Sequence, residues 1–178
     1  MEFKFQTRTE QILSVLKIIA WVAFFGFVVQ AGAYVISYVV SFSRPAGAQN
    51  LYMGIDLLEL RNHSVFKYST LIAAWVALLV MKANIWYRVA RIISLIKIES
   101  PFTLELTRKL EKISYLLFSI SILGYLGSTF AGWLGEKAQQ FQNDWDAGEF
   151  LFMAGLLFIV SQIFKRGVEL QSENELTV

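Results

Sequence analysis

The sequence predicts an all-α fold, an integral membrane bundle of four transmembrane helices, on three observations. Four long apolar runs punctuate the chain, the lysines and arginines between them are alternately abundant and sparse, and the composition is too apolar for a water-covered surface. Hydrophobic residues make up 56% of the 178 and charged residues 17%, with a mean hydropathy of +0.50. A soluble domain of this length needs more polar cover. Spans lying side by side use residues 1–178 as one transmembrane domain, with no room for a second globular unit. The net charge of +2 selects no class of partner, and the absence of cysteine excludes disulfides, thiolate-held metals and iron–sulfur centres.

A helix rises about 1.5 Å per residue, so roughly 20 apolar residues cross a hydrocarbon core of about 30 Å. The first span, 18–42, has 25 uncharged residues and room to tilt. A secretory signal is the competing reading, since Lys4, Arg8 and Lys17 precede the run and Ala31-Gly32-Ala33 resembles a cleavage site; the run continues to Phe42, which favours a span. The second, 68–87, contains only Lys82, near its end, where it can snorkel outward. The third, 113–134, has 22 uncharged residues. The fourth, 150–164, has 15 and must use its flanks or thin the bilayer, with Trp145 as an interfacial anchor.

Orientation follows from the cations. Counting Lys82 with the connection it borders, twelve fall before the first span, between the second and third, or after the fourth; only Arg44, Arg61, Lys67 and Lys137 lie on the other side. The positive-inside rule then places both termini in the cytoplasm of a bacterial inner-membrane protein. Trp86, Tyr87, Tyr115, Trp133 and Trp145 fall near span ends, where amphipathic rings favour the interface.

Inside lipid, helices associate through small residues and polar contacts. Gly124, Gly127, Ser128, Ala131 and Gly132 form a smooth packing face on the third span. Ala23, Gly26, Gln30, Ala33 and Ser37 repeat the spacing on the first, Thr70, Ala73, Ala77, Val80 and Asn84 on the second, and Ala147, Ala154 and Ser161 on the fourth. Gln30, Asn84 and Gln162 either glue helices together or line a substrate path; the first role is the commoner one.

The cytoplasmic connection, 88–112, extends the second and third helices out of the membrane. Arg88, Arg91, Ser94 and Lys97 alternate with Val89, Ile92, Ile93, Leu95, Ile96 and Ile98, an amphipathic extension that either rests on anionic headgroups or docks a partner. Pro101 ends that helix. Thr103 is placed to cap the next one, with Glu105 near its positive end and within reach of Arg108 and Lys109.

Two stretches carry a resemblance: Ser100-Pro101-Phe102-Thr103 leading to Arg108-Lys109-Leu110, and the cytoplasmic tail, 165–178, with Lys165, Arg166, Gly167, Glu169, Leu170, Glu173, Asn174, Leu176 and Thr177. They resemble the bacterial four-helix membrane family called domain of unknown function 2975. Glu175 and Leu104 depart from its usual residues. The family has no established activity; the resemblance implies a membrane-bound partner of a small helix-turn-helix transcription regulator, with no direct contact with nucleic acid of its own. Both stretches are the candidate partner-facing surfaces, and the tail's acids beside Leu170, Leu176 and Val178 suit a basic partner. The competing reading of the tail is a frayed, solvated helix end.

The chemistry of a catalyst is not legible. His63 is the only histidine, which excludes two-histidine haem and zinc motifs, and no glycine-rich phosphate loop is present. The acids Glu136, Asp144, Asp146 and Glu149 lack calcium-loop spacing. No carboxylate falls inside the spans, as coupled transporters usually require. The expectation is therefore a non-catalytic interaction or regulatory protein without cofactor or metal. The alternative is a subunit of an oligomeric channel or small-molecule transporter, for which a homo-oligomer would supply the wall.

Overall fold

The computed structural model describes residues 8–96, 103–135, 138, 141 and 145–175, the side chains of 174 and 175 excepted. Over these residues the chain is all-α, with five helices: α1 (Arg8–Ser43), α2 (Leu58–His63), α3 (Val65–Ile93), α4 (Leu104–Leu134) and α5 (Ala147–Glu175). All but α2 are long and apolar enough to cross a membrane. They pack in chain order, α1 on α3, α3 on α4 and α4 on α5. The two middle helices therefore bury most, and the outer two leave Ile18, Val22, Val29, Ile36, Phe152, Ile159 and Ile163 exposed.

Each helix has an identifiable beginning or end. Pro45 pushes Arg44 to extended backbone (φ −134°, ψ 101°) and α1 stops. The Ser64 hydroxyl accepts from the Lys67 N–H at 3.4 Å to start α3. Thr103 caps α4 as expected, its hydroxyl accepting from the Leu106 N–H at 3.2 Å. The α3 helix ends at Ile93, short of the expected 98, where the Ser94 hydroxyl turns back to the Ala90 carbonyl; its penultimate residue, Ile92, is buried in a cluster with Leu106 and Ile113 of α4.

The connection between α1 and α3 is a folded cap rather than a loose loop. Met53 and Gly54 take positive φ (64° and 76°), closing a turn in which the Leu51 N–H reaches the Ile55 carbonyl at 2.9 Å. Asp56 accepts from the Leu58 N–H at 2.9 Å and starts α2. Ala48, Leu51, Leu57 and Leu60 are thereby buried against Tyr34, Tyr68 and Trp75. Beneath the cap, Tyr68 donates to the Ser41 hydroxyl (2.9 Å) and Tyr38 to that of Ser69 (2.8 Å), joining α1 to α3.

The expected packing residues are buried in part on two helices. Gly124, Gly127 and Ala131 are buried on α4, and Ala154 and Ser161 on α5. Ser128 is half-buried and Gly132 is exposed, a correction with a geometric reason: at 3.6 residues per turn Gly132 stands about 140° around the helix from Gly127. On α1 the buried face is Ala20, Ala31, Tyr34 and Ser41 with Phe27 and Tyr38, one residue on from the expected one, and Gly26 is exposed. On α3 the expected Thr70, Ala73, Ala77, Val80 and Asn84 are all exposed; Tyr68, Leu71, Ile72, Trp75, Leu78 and Leu79 are buried instead. Large side chains, not small ones, fill that contact.

The last helix, α5, begins halfway along α4. The Ser121 hydroxyl donates to the Ala147 carbonyl at 2.7 Å, and Ser121 lies 13 residues, about 20 Å, from the end of α4. Between the two helices, Ala138, Phe141 and Trp145 lie in the core. Trp145 is 1% exposed, so it is a core residue rather than an interfacial anchor. Its ring meets Trp75 edge-on at 5.2 Å, and Phe141 meets Trp75 at 5.1 Å. A Cβ on Gly127 would stand 2.2 Å from the Trp145 ring. Asp146, with φ 49°, then turns the chain into α5 and pairs with Lys82 at 3.4 Å. Lys82 lies over the Phe150 ring at 5.1 Å, its side chain only 13% exposed, so it bridges to α5 where snorkelling was expected.

Gly127→Leu is expected to destabilise the protein by about 1–3 kcal/mol or more through overpacking, whereas Gly132→Leu leaves the midpoint unchanged; thermal unfolding in detergent compares them. A double-mutant cycle on Lys82→Gln and Asp146→Asn should give a coupling of about 1 kcal/mol. Asparagine is chosen because it keeps the preference for positive φ while removing the charge.

Candidate interaction surface at the charged end of the bundle

The end opposite the cap collects the close of α3, the start of α4 and the far half of α5. Sequence chemistry explains why they meet. Apolar Ile92, Leu106, Ile113, Leu117 and Ala154 form a second buried cluster, against which Leu110, Leu157 and Phe164 pack. A polar bond crosses the same contact, the Gln162 amide donating to the Glu111 carboxylate at 3.0 Å. Gln162, which the sequence offered as helix glue or path lining, here holds α5 to α4.

Beyond Phe164, α5 continues to Glu175 with no buried residue from Lys165 to Glu173. Arg166 sits at the centre of a charged face, its Nη1 3.0 Å from Glu169 and 3.8 Å from Glu173. Lys165, Glu169, Leu170 and Glu173 are exposed, and Gly167 is half-buried. The exposed pairs add little stability, but they hold the acids in register along one side of the helix. Of the other expected partner-facing residues, Thr103 is half-buried as the α4 cap. Ser100, Pro101, Phe102, Leu176 and Thr177 and the Asn174 side chain lie outside the described residues.

A second charged feature lies between α3 and α4. Arg88 and Arg91 project from one helix, Lys109 and Lys112 from the other, around two adjoining cavities. The smaller, about 190 Å³, is lined by Tyr87, Arg88, Arg91, Ile92 and Lys109. The larger, about 400 Å³, is lined by Arg88, Lys112, Tyr115, Leu116 and Ser119. Asn84 accepts from Arg88 Nε at 2.7 Å, and the Tyr87 hydroxyl accepts from Arg91 Nη1 at 3.3 Å, so both guanidinium groups are positioned. Lys109 pairs with Glu105 at 2.7 Å, and its hydrogen bond, then its charge, holds the Glu105 carboxyl below the ordinary carboxylate range. The sequence marked Arg88 and Arg91 as one polar stripe and read Lys109 and Lys112 only as orienting charges. Their convergence depends on which face of α3 meets α4, for which spacing along one helix carries no signal.

Comparison with known families matches residues 59–178 to the family described as protein of unknown function (DUF2975). No curated protein and no solved structure matches the chain. The match takes in 120 of the 178 residues, from α2 through α5, and the chain belongs to that family.

Proposed function

We propose that this DUF2975 member is a multi-pass membrane protein, with both termini cytoplasmic, that acts by contacting a cytoplasmic protein instead of by catalysis. The observation that carries the partner reading is the course of α5. It continues past its apolar run as an exposed helix on which Arg166, Glu169 and Glu173 form one charged face beside Leu170. Such a face, acidic and apolar together, suits a basic partner, and a small helix-turn-helix regulator has that character.

Two features support the membrane setting. The apolar side chains exposed on α1 and α5 form far more apolar surface than a water-soluble monomer carries. Trp133, 68% exposed with Lys67 over its ring at 4.2 Å, stands at the cap end, and Tyr87 and Tyr115 stand exposed at the charged end. Rings and cations at those two levels suit the two interfaces of a bilayer. The cations concentrate at the charged end, which supports the reading of that end as cytoplasmic and the cap as external in a bacterial inner membrane.

One observation favours a second reading, a subunit of an oligomeric channel or small-molecule transporter. Thr70, Ala73, Ala77, Val80 and Asn84 are exposed together on α3, the kind of face that membrane helices pack through. Self-association through that face would build the wall that one chain lacks.

The chain has no cysteine of its own, so single introduced thiols report topology. Asn50→Cys is expected to react with an impermeant thiol reagent applied from outside and Ser172→Cys to be protected; the reverse pattern refutes the orientation. Deleting residues 169–178 should leave membrane insertion intact and abolish crosslinking to a DNA-binding protein in native membranes, identified by mass spectrometry. Self-crosslinks alone, unchanged by the deletion, would favour the oligomeric reading and direct the next experiment to solute flux.

A further inference from the structure

We infer that the cleft between α3 and α4 binds the phosphate headgroup of an anionic phospholipid. The inference rests on the reading of the long helices as membrane spans and adds a ligand site to it. Arg88 lines both cavities of the cleft, with Arg91 and Lys109 on one side of it and Lys112 on the other, and among the described residues no aspartate or glutamate lines either cavity. Arg88 and Arg91 are three residues apart on α3, as are Lys109 and Lys112 on α4. Like charges at that spacing repel, and here two such pairs face each other.

The neighbouring acids relieve little of this. Among the described residues Glu105 pairs with Lys109, and Glu111 is bonded to Gln162 of α5. Among the described residues, no carboxylate pairs with Arg88, Arg91 or Lys112. An anion between the helices removes the repulsion. Arg88 and Arg91 are each oriented through a single N–H by Asn84 and Tyr87, which leaves further guanidinium N–H groups in the fork geometry that phosphate oxygens accept.

Depth identifies the anion as a lipid headgroup. Arg88 directly follows the apolar run of α3 and Lys112 directly precedes that of α4, the level at which lipid phosphates lie. Tyr115, which walls the larger cavity, also borders an apolar furrow of about 340 Å³ between α4 and α5, lined by Phe118, Leu151, Ala154 and Phe158 among others. An acyl chain lies in that furrow when the phosphate is in the cleft. Basic clefts between spans on the cytoplasmic side suit anionic headgroups.

The test uses the full chain, purified in detergent, in native mass spectrometry with phosphatidylglycerol or phosphatidylcholine. Phosphatidylglycerol is expected to be retained preferentially, and Arg88→Gln with Lys112→Gln should cut that preference at least about tenfold. The pair Lys165→Gln and Arg166→Gln, on α5 away from the cleft, should leave it unchanged. An undiminished preference in the Arg88/Lys112 variant overturns the site; if that variant does not fold, Arg91→Gln alone replaces it under the same criterion. Inorganic phosphate stabilising the chain as well as the lipid does would make this a free-anion site and overturn the lipid assignment. Alkaline carbonate extraction separates the two layers of the argument. A chain released from membranes refutes the membrane reading and the site with it, whereas a chain retained in membranes without lipid preference refutes the site alone.

Discussion

The structure turns on the seating of Trp145 against α4. Two glycines, Gly124 and Gly127, leave that helix without side chains where the Trp145 backbone and indole press in, and Trp75 of α3 closes the other side edge-on. An edge-to-face aromatic pair contributes about 0.5–1.5 kcal/mol beyond the contact itself. Its larger consequence is positional. With Trp145 fixed at that height, Asp146 is delivered to Lys82, Ser121 reaches the Ala147 carbonyl, and α5 must begin halfway along α4. Among the described residues the buried indole N–H groups of Trp75 and Trp145 find no hydrogen-bond partner, a cost of about 1–3 kcal/mol for each unsatisfied donor. Tight aromatic packing at the notch has to offset that cost.

This seating changes the meaning of the short fourth apolar run. Fifteen apolar residues are too few for a full crossing, and thinning of the bilayer is one remedy. An offset start is another: α5 begins partway along α4, beside the buried Trp145, so that under the membrane reading its apolar run has only the rest of the path to cover. The helix continues past Phe164, and the charged residues around Arg166 are exposed along it. Lys82 and Asp146 brace the point of entry, with Phe150 beneath the ammonium group.

The two ends of the molecule differ in what they hold. At the cap end, Ala48, Leu51, Leu57 and Leu60 are buried with Phe141 and Trp145 in one core, which ties the two connections to each other and to the helices. At the charged end the apolar cluster is smaller, and cations from α3 and α4 approach each other in a cleft that no acid among the described residues lines.

Sequence alone determined the helical class, the number and order of the long helices, the Thr103 cap, the smooth face of α4 and the family. Each of these depends on local runs, caps or spacing. It did not determine the phase of α1 or α3. Both helices are apolar nearly all round, and in such helices a 3-4 spacing of small residues recurs on more than one face; the buried stripe on α1 lies one residue, about 100° of turn, from the expected one. Tertiary structure alone decided that Trp145 is core, that Lys82 pairs with Asp146 across 64 residues of chain, and that Arg88, Arg91, Lys109 and Lys112 share a cleft. These contacts join residues distant in sequence, and their geometry exists only once the large side chains of α3 have selected which faces of the helices meet.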